Sequence, residues 1–251
     1  MKQDTTNNGQ RIAKFIAAAG LCSRREAERW IEKGYVQVNG KTIDSPALNV
    51  TSEDEIKVRG NVITQKTDYP RLFRLHKPRG VICTNHDPEG RKTIFDLLPK
   101  GLPRLINIGR LDLDSEGLIL LTDTPKLAET LMKPNPKIER VYSVRIDGNL
   151  SLDQIKAIEK GIKHKGIKYA PAKVEVQGEA TGRNSWVTLT LTEGKNREIR
   201  NMMEALGLRV SRLKRLGYGG FELGKLPKEM IDEVPTKVTK AILKTMDIEE
   251  L

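Results

Sequence analysis

Gly109-Arg110-Leu111-Asp112-Leu113-Asp114-Ser115-Glu116-Gly117-Leu118, running directly into Ile119-Leu120-Leu121, is the most directive stretch of the chain. Three carboxylates and an arginine stand between two glycines, just before an apolar run that reads as a buried strand. Charged groups are thereby tied to a rigid element, which is how a catalytic carboxylate is commonly presented. Taken alone, the same residues would also suit a solvated acidic turn. Asp114 and Glu116, two residues apart on one loop, give no sign of flanking a sugar from opposite sides, which argues against glycoside hydrolysis.

The chain has 251 residues, enough for one sizeable core and a second, smaller module. Lysine and arginine number 44 against 33 acidic residues, and the net charge of +11 makes a polyanion, nucleic acid first, the expected partner. No apolar run approaches the ~20 residues of a membrane span and no long basic amphipathic helix stands out, so no membrane partner is expected. Residues 1–10 lack the apolar core of a signal peptide and read as a short disordered lead-in to a cytoplasmic protein. Cys22 and Cys83 have no cysteine or histidine at short spacing, which argues against a disulfide framework or a zinc site. His76, His86 and His164 are scattered, and no pair has the spacing of metal ligands. Chemistry here has to come from carboxylate, hydroxyl and arginine groups.

From Arg11 to about Gly60 the pattern is helix, helix, strand, turn, strand. Ile12, Phe15, Ile16 and Ala19 recur at helical spacing up to Gly20, which suits a left-handed C-terminal cap. Ser23-Arg24-Arg25-Glu26 opens a second helix as a capping box, with Ala27, Trp30 and Ile31 on its inner face and Gly34 at its end. Val36 and Val38 alternate with polar residues before Asn39-Gly40, a strong hairpin signal, and strands at Thr42-Ile43 and residues 55–58 follow. Arg11, Lys14, Arg24, Arg25 and Arg29 can cluster along the two helices, where they would neutralise phosphates and set affinity and register. The charge of this region is close to balanced, so clustering has to make the binding face.

Residues 66–70 are polar, end in proline and read as a linker. Residues 71–76 alternate like a strand and run into the turn Lys77-Pro78-Arg79-Gly80. Residues 125–132 suit a short helix begun by proline, and residues 139–146 and 187–191 alternate as strands. Lys195-Asn196-Arg197-Glu198-Ile199-Arg200 begins a helix with Ile199, Met202, Met203 and Leu206 on its apolar side. Residues 209–215 place four cations in seven positions with no acid, a strand whose basic side would track an RNA backbone. Val238, Ile242 and Met246 at helical spacing suggest a terminal helix within residues 233–251.

Arg11-Ile12-Ala13-Lys14-Phe15, Ser23-Arg24-Arg25-Glu26-Ala27 and Val36-Gln37-Val38-Asn39-Gly40 together resemble an S4 RNA-binding domain, placed over residues 1–65. Gly109-Arg110-Leu111-Asp112, Ser115-Glu116-Gly117-Leu118 and Leu120-Leu121-Thr122-Asp123 resemble the catalytic loop of the RsuA/RluB-type RNA pseudouridine synthases. Lys77-Pro78-Arg79-Gly80, Arg140-Val141-Tyr142 and Glu193-Gly194-Lys195 leading to Ile199-Arg200 are similar to further motifs of that family. Asp87-Pro88-Glu89-Gly90-Arg91 is close to its large-subunit rRNA synthase B subgroup.

The resemblance implies an α+β protein: a small S4-like module, then a catalytic domain over residues 71–232 whose mixed, mostly antiparallel sheet carries Asp112 in a central cleft. It implies isomerisation of uridine to pseudouridine in ribosomal RNA, of the large subunit first. Asp112 would be the essential residue, either a nucleophile or a base that removes a sugar proton. Tyr142 would stack on the target uracil, and Arg200 would pair with Asp112 and keep it charged. The expected RNA contacts outside the S4-like module are Arg110, Lys195, Arg197, Arg212, Lys214 and Arg215. Glu198 stands where the family has glutamine. The implied reaction needs no metal and no organic cofactor, and the enzyme would be a cytoplasmic monomer acting on free rRNA or on an assembly particle. The rival is a non-catalytic rRNA-binding or ribosome-assembly protein, which would use the basic surfaces and be indifferent to Asp112.

Overall fold

The computed structural model describes residues 9–64, 69–85, 87–177 and 184–248. Two compact units emerge. One runs up to Pro70 and takes in Leu102–Ile106 and Asp123–Pro125; the other holds Arg71–Gly101, Asn107–Thr122 and the chain from Lys126 onward. Most of the lead-in, residues 66–68 of the expected linker, His86 and the last three residues lie outside the described residues.

In the first unit, β1 (Gln10–Arg11) leads into α1 (Ile12–Ala18) and α2 (Arg24–Glu32). The strands β2 (Val36–Val38), β3 (Lys41–Ile43), β4 (Asn49–Val50), β5 (Ile56–Val58) and β6 (Asn61–Val62) follow. A sheet ordered β3-β2-β5-β6 and the β1–β4 pair accompany the two helices around a core of Ile12, Phe15, Ile16, Ala27, Ile31, Val36, Val50 and Ile56. Gly20 ends α1 with φ +82°, and Asn39 and Gly40 take the two left-handed positions that a two-residue hairpin requires (φ 49° and 79°). Ser23 caps α2 by accepting the Glu26 N–H at 3.2 Å, but half of the expected capping box is replaced. The Glu26 carboxylate turns to Arg29, at 2.9 Å, one helical turn away. Trp30 is only half-buried, and the Arg59 guanidinium lies over both Trp30 and Tyr35.

The second unit begins with β7 (Leu72–Lys77), β8 (Ile106–Ile108), β9 (Glu116–Thr122), α3 (Pro125–Met132), β10 (Arg140–Asp147) and α4 (Leu152–Lys160). It continues through β11 (Lys163–His164), β12 (Ile167–Lys168), β13 (Lys173–Gln177), β14 (Asn184–Leu191), α5 (Glu198–Ala205), β15 (Arg209–Tyr218), β16 (Phe221–Glu222), β17 (Ile231–Val234) and α6 (Thr236–Thr245). The main sheet is ordered β13-β14-β10-β15-β9-β7-β17, antiparallel along that path except where β15 and β9 run parallel. It is the mixed, mostly antiparallel sheet that the motifs implied. All seven residues of β9 are buried, which is why this strand reads in sequence as an apolar run without alternation. Val144, Ile146, Val187 and Leu189 of the sheet pack with Ile158 of α4 and Ile199, Met202 and Met203 of α5.

Two element boundaries and one helix face differ from the sequence pattern. α5 starts after Arg197, not at Lys195, because Arg197 adopts the left-handed conformation (φ 50°, ψ 29°) and stands as its N-cap. β17 pairs with β7 through Val234, so the sheet runs past residue 232. The terminal helix buries Thr239 and Leu243, with Met246 just beyond its end, and leaves Val238 exposed, so its inner face is rotated from the expected one.

Candidate active site

Leu189, Tyr142, Arg215, Gly117 and Lys77 stand opposite one another across five adjacent strands, β14, β10, β15, β9 and β7. This row brings the separate motifs together. A bulge makes it possible: Val141 faces Gly217 but Tyr142 faces Arg215, so Leu216 is skipped and Arg215 is turned to the Tyr142 side of the sheet. Gly117 has φ +112°, and a Cβ there would lie 2.2 Å from the Arg215 carbonyl oxygen, so no other residue lets the two strands approach.

The loop carrying Asp112 is anchored from below by Lys77, whose side chain is fully buried. The Lys77 ammonium donates to the carbonyls of Pro78 (3.1 Å), Asp112 (3.0 Å) and Ser115 (2.8 Å). Three donors on one tetrahedral head are matched to three acceptors, which fixes the backbone on both sides of the Asp112–Ser115 turn. The Ser115 N–H closes that turn on Asp112 O (3.1 Å), and the Gly80 N–H binds Leu113 O (2.8 Å). Burial lowers the Lys77 pKa, opposed by Cys83, Asp112 and Asp114 nearby.

Asp112, Tyr142, Arg110, Arg140, Arg197 and Glu198 are among the residues around one cleft of 1130 Å³. The Asp112 side chain is 32% exposed and its Oδ2 is 3.7 Å from Arg197 Nη1, which is also 3.5 Å from Asp114 Oδ1. Arg200 is not the ion-pair partner of Asp112. Its Nη2 lies 3.0 Å from Asp114 Oδ2 and also donates to Asp114 O, while Nη1 donates to Val210 O. The expected pairing is therefore shifted by one helical turn: the N-cap residue Arg197 reaches Asp112, and Arg200, deeper in α5, secures the neighbouring carboxylate. Burial lowers the Arg200 pKa and Asp114 opposes the shift, leaving a guanidinium that stays charged. Arg79, Arg197, Arg200, Arg209 and Asp114 also border an adjoining groove of 690 Å³.

Of the expected RNA contacts, Arg11, Lys14, Arg24, Arg25 and Arg29 are exposed in the first unit, and Arg110 and Arg197 in the second. Arg11 also binds Ala47 O. Three others are engaged internally. Arg215 is 2% exposed, its Nε donates to Leu118 O at 2.7 Å, and it lies 5.1 Å from the Tyr218 ring, so it belongs to the cleft floor instead of an RNA-facing surface. Arg212 is paired at 2.6 Å with the buried Glu116, which Lys228 also approaches at 3.2 Å. Burial acts to raise the Glu116 pKa, but these two cations outweigh it and the net shift is downward. Lys195 is exposed yet bound to Glu193 and to Lys168 O. Lys214 is half-buried on the Glu116 side of the sheet. Strand alternation explains the split: Arg212 and Lys214 share one face, and Arg215 takes the other.

Several residues were visible in sequence only as members of motifs, without the contacts that they make. Lys77 was visible only as part of a turn motif. Arg140, 9% exposed, stacks on Tyr218 (5.0 Å) and donates to Ile138 O and Thr192 O, bracing the strand that presents Tyr142. Asp87 and Arg91 form a bidentate pair at the cleft, and the Arg91 guanidinium holds the Asp87 carboxyl at about 2. Among the described residues, no cluster of three His, Cys, Asp or Glu side chains is placed to hold a metal ion, and no helix is long and apolar enough to cross a membrane.

The aspartate loop, a tyrosine and several arginines thus line one cleft set on a mixed sheet, the arrangement of an enzyme site. Residues 71–205 match the family model described as RNA pseudouridylate synthase, and residues 10–56 match the S4 domain. The chain belongs to the RNA pseudouridylate synthase family and carries an S4 domain. It is 45% identical to a protein of Rickettsia prowazekii (strain Madrid E) named as an uncharacterized RNA pseudouridine synthase, over 91% of this chain and 95% of that one. It is 38% identical to the ribosomal large subunit pseudouridine synthase B of Yersinia pestis, over 96% of this chain and 77% of the relative. A crystal structure of a pseudouridylate synthase superposes with a TM-score of 0.66 at 28% identity, covering 92% of this chain and 99% of the other.

Proposed function

We propose that this chain converts a uridine of large-subunit ribosomal RNA to pseudouridine, with Asp112 as the catalytic carboxylate and Tyr142 stacked on the uracil. The observation that carries this reading is the placement of a part-exposed Asp112 carboxylate and the Tyr142 ring around one cleft, on a loop anchored by Lys77. The reaction breaks the bond from ribose C1′ to uracil N1, turns the base and joins C1′ to C5. The proton on C5 then leaves and N1 gains one, so the product is an isomer and no redox partner or group donor is consumed. A positioned carboxylate can serve as nucleophile or as base for a sugar proton. Arg197 offsets its charge, and Arg200 holds the neighbouring Asp114 in place.

A paired or stacked uridine hides the reacting atoms, so it must be flipped into the cleft at a cost of a few kcal/mol. Phosphate contacts from Arg11, Lys14, Arg24, Arg25 and Arg29, and from Arg110 near the cleft, supply the offsetting free energy. The large-subunit target is supported by the names of relatives such as that of Yersinia pestis and by the Asp87–Arg91 motif at the cleft. The test is incubation of purified protein with large-subunit rRNA fragments, with pseudouridine mapped by chemical modification and reverse-transcription stops. One modified uridine is expected with the wild type and none with Asp112→Asn. Tight RNA binding that leaves every uridine intact, even on immature ribosomal particles, would replace this reading by an assembly role.

A further inference from the structure

Glu198 is a buried acid for which the scheme above has no use. It opens α5, is 4% exposed and lines the same cleft as Asp112. Its Oε2 accepts the Lys195 backbone N–H at 2.9 Å, whereas its Oε1 is buried with no donor. Its side chain lies against the Glu193 carboxyl, which is already well supplied with donors. Glu193 Oε1 receives the Ala170 N–H at 2.8 Å and the Lys195 ammonium at 2.9 Å, and Oε2 lies 2.8 Å from that ammonium. Glu193 is therefore the member of the pair equipped to hold the negative charge. Two bare carboxylates in contact at a buried site repel each other, but one proton on Glu198 Oε1 converts the contact into a hydrogen bond and satisfies the orphaned oxygen.

We propose that Glu198 is a protonated acid at neutral pH, donating a hydrogen bond to Glu193 and thereby fixing the segment 193–198 that holds Arg197 beside Asp112. Glu198 is on this view a positioning residue, and the inference rests on the reading of Asp112 as the catalytic group. Burial first, then the Glu193 contact, pushes the Glu198 carboxyl up to about 8, against the pull of the Lys195 N–H and ammonium. Other ionisable groups near this segment include Arg197, next to Glu198 in the chain and 3.7 Å from Asp112, Arg140, whose Nε would lie 3.3 Å from a Cβ on Gly194, Tyr169, under the Lys195 ammonium at 5.9 Å, and Tyr142 and Arg215 on the same cleft. Loss of the proton would set two negative charges against each other at the start of α5 and loosen the hold on Arg197.

The test is single-turnover pseudouridylation by the full chain from pH 6 to 9, for the wild type and Glu198→Gln, with RNA affinity and Tm measured at each pH. Glutamine keeps the shape and a hydrogen-bond donor but cannot ionise. The wild-type rate should fall about tenfold between pH 7 and 9, while Glu198→Gln stays within about threefold of wild type at pH 6.5 and loses that decline. Stability has a matching sign. The folded pKa lies above the ordinary value of 4.5, so the contribution of this group is complete below that value and is lost as pH rises through about 8. The wild-type Tm should therefore drop across this window relative to Glu198→Gln. Equal alkaline declines in both proteins, or a folded but inactive Glu198→Gln at pH 6.5, would overturn the proposal. Should Glu198→Gln fail to fold, Glu193→Gln replaces it: the alkaline midpoint should move to lower pH, and an unmoved midpoint counts against the proposal. If the wild type makes no pseudouridine at any pH, the catalytic reading has failed. An infrared band of a protonated carboxyl at pH 7, lost in Glu198→Gln, then still decides the state of Glu198.

Discussion

Among residues 9–64 the buried side chains are all apolar and no charged one is buried, whereas the second unit buries Lys77, Glu116, Arg140, Glu198 and Arg215. The difference separates two uses of charge. In the S4 domain, exposed cations would act on a flexible polyanion through its phosphates, which would make them interchangeable and sensitive to salt. Around the cleft, charges act at close range on fixed backbone carbonyls and on one another. Most are held by a specific partner, as Lys77 is by three carbonyls and Glu116 by Arg212, so removal of one strands the other.

This contrast can be broken by substitution, and the effects should fall in a definite order. Asp112→Asn should lower the single-turnover rate by about 10⁴-fold or more while RNA affinity holds, because the neutral amide can neither attack nor take a proton. A comparable loss of affinity would mean that Asp112 serves binding instead. Lys77→Met should come next: three carbonyls lose their donor, and urea denaturation should show a loss of about 3 kcal/mol. Its rate should drop by about 10²-fold through misplacement of the Asp112 loop, and a variant with wild-type stability and rate would show that the buried ammonium anchors nothing. Arg197→Ala should reduce the rate by about tenfold with unchanged Tm, since the side chain is 45% exposed and acts on Asp112 and Asp114 at the cleft mouth. The smallest effect belongs to the first unit. Arg24→Ala with Arg25→Ala should leave the rate at saturating RNA and the Tm untouched and weaken affinity severalfold. The slope of affinity against salt should become shallower by about one unit for each phosphate that is no longer neutralised. A weakening that does not depend on salt would remove these arginines from the phosphate-binding face.

The first unit was the more legible of the two for the same physical reason. Its helix ends and its hairpin are set by Gly20, Ser23 and Asn39-Gly40, residues that act on neighbours within about four positions. The aspartate loop was legible too, because two glycines and a turn must be spelled out beside a buried strand. Arg197 and Arg200 were both visible on the helix-forming stretch after Gly194, yet which of them meets Asp112 depended on a left-handed N-cap that periodicity does not reveal.

The sequence by itself determined the two modules, their main helices and strands, and the residues from which a cleft could be built. Only the tertiary structure decided that Lys77, Gly117, Arg215 and Tyr142 share one row, that Arg212 is spent on Glu116, and that Glu198 meets Glu193. Register between strands far apart in the chain is fixed by packing across the sheet, and the skipped Leu216 shows how one residue of slip changes which side chain faces the chemistry.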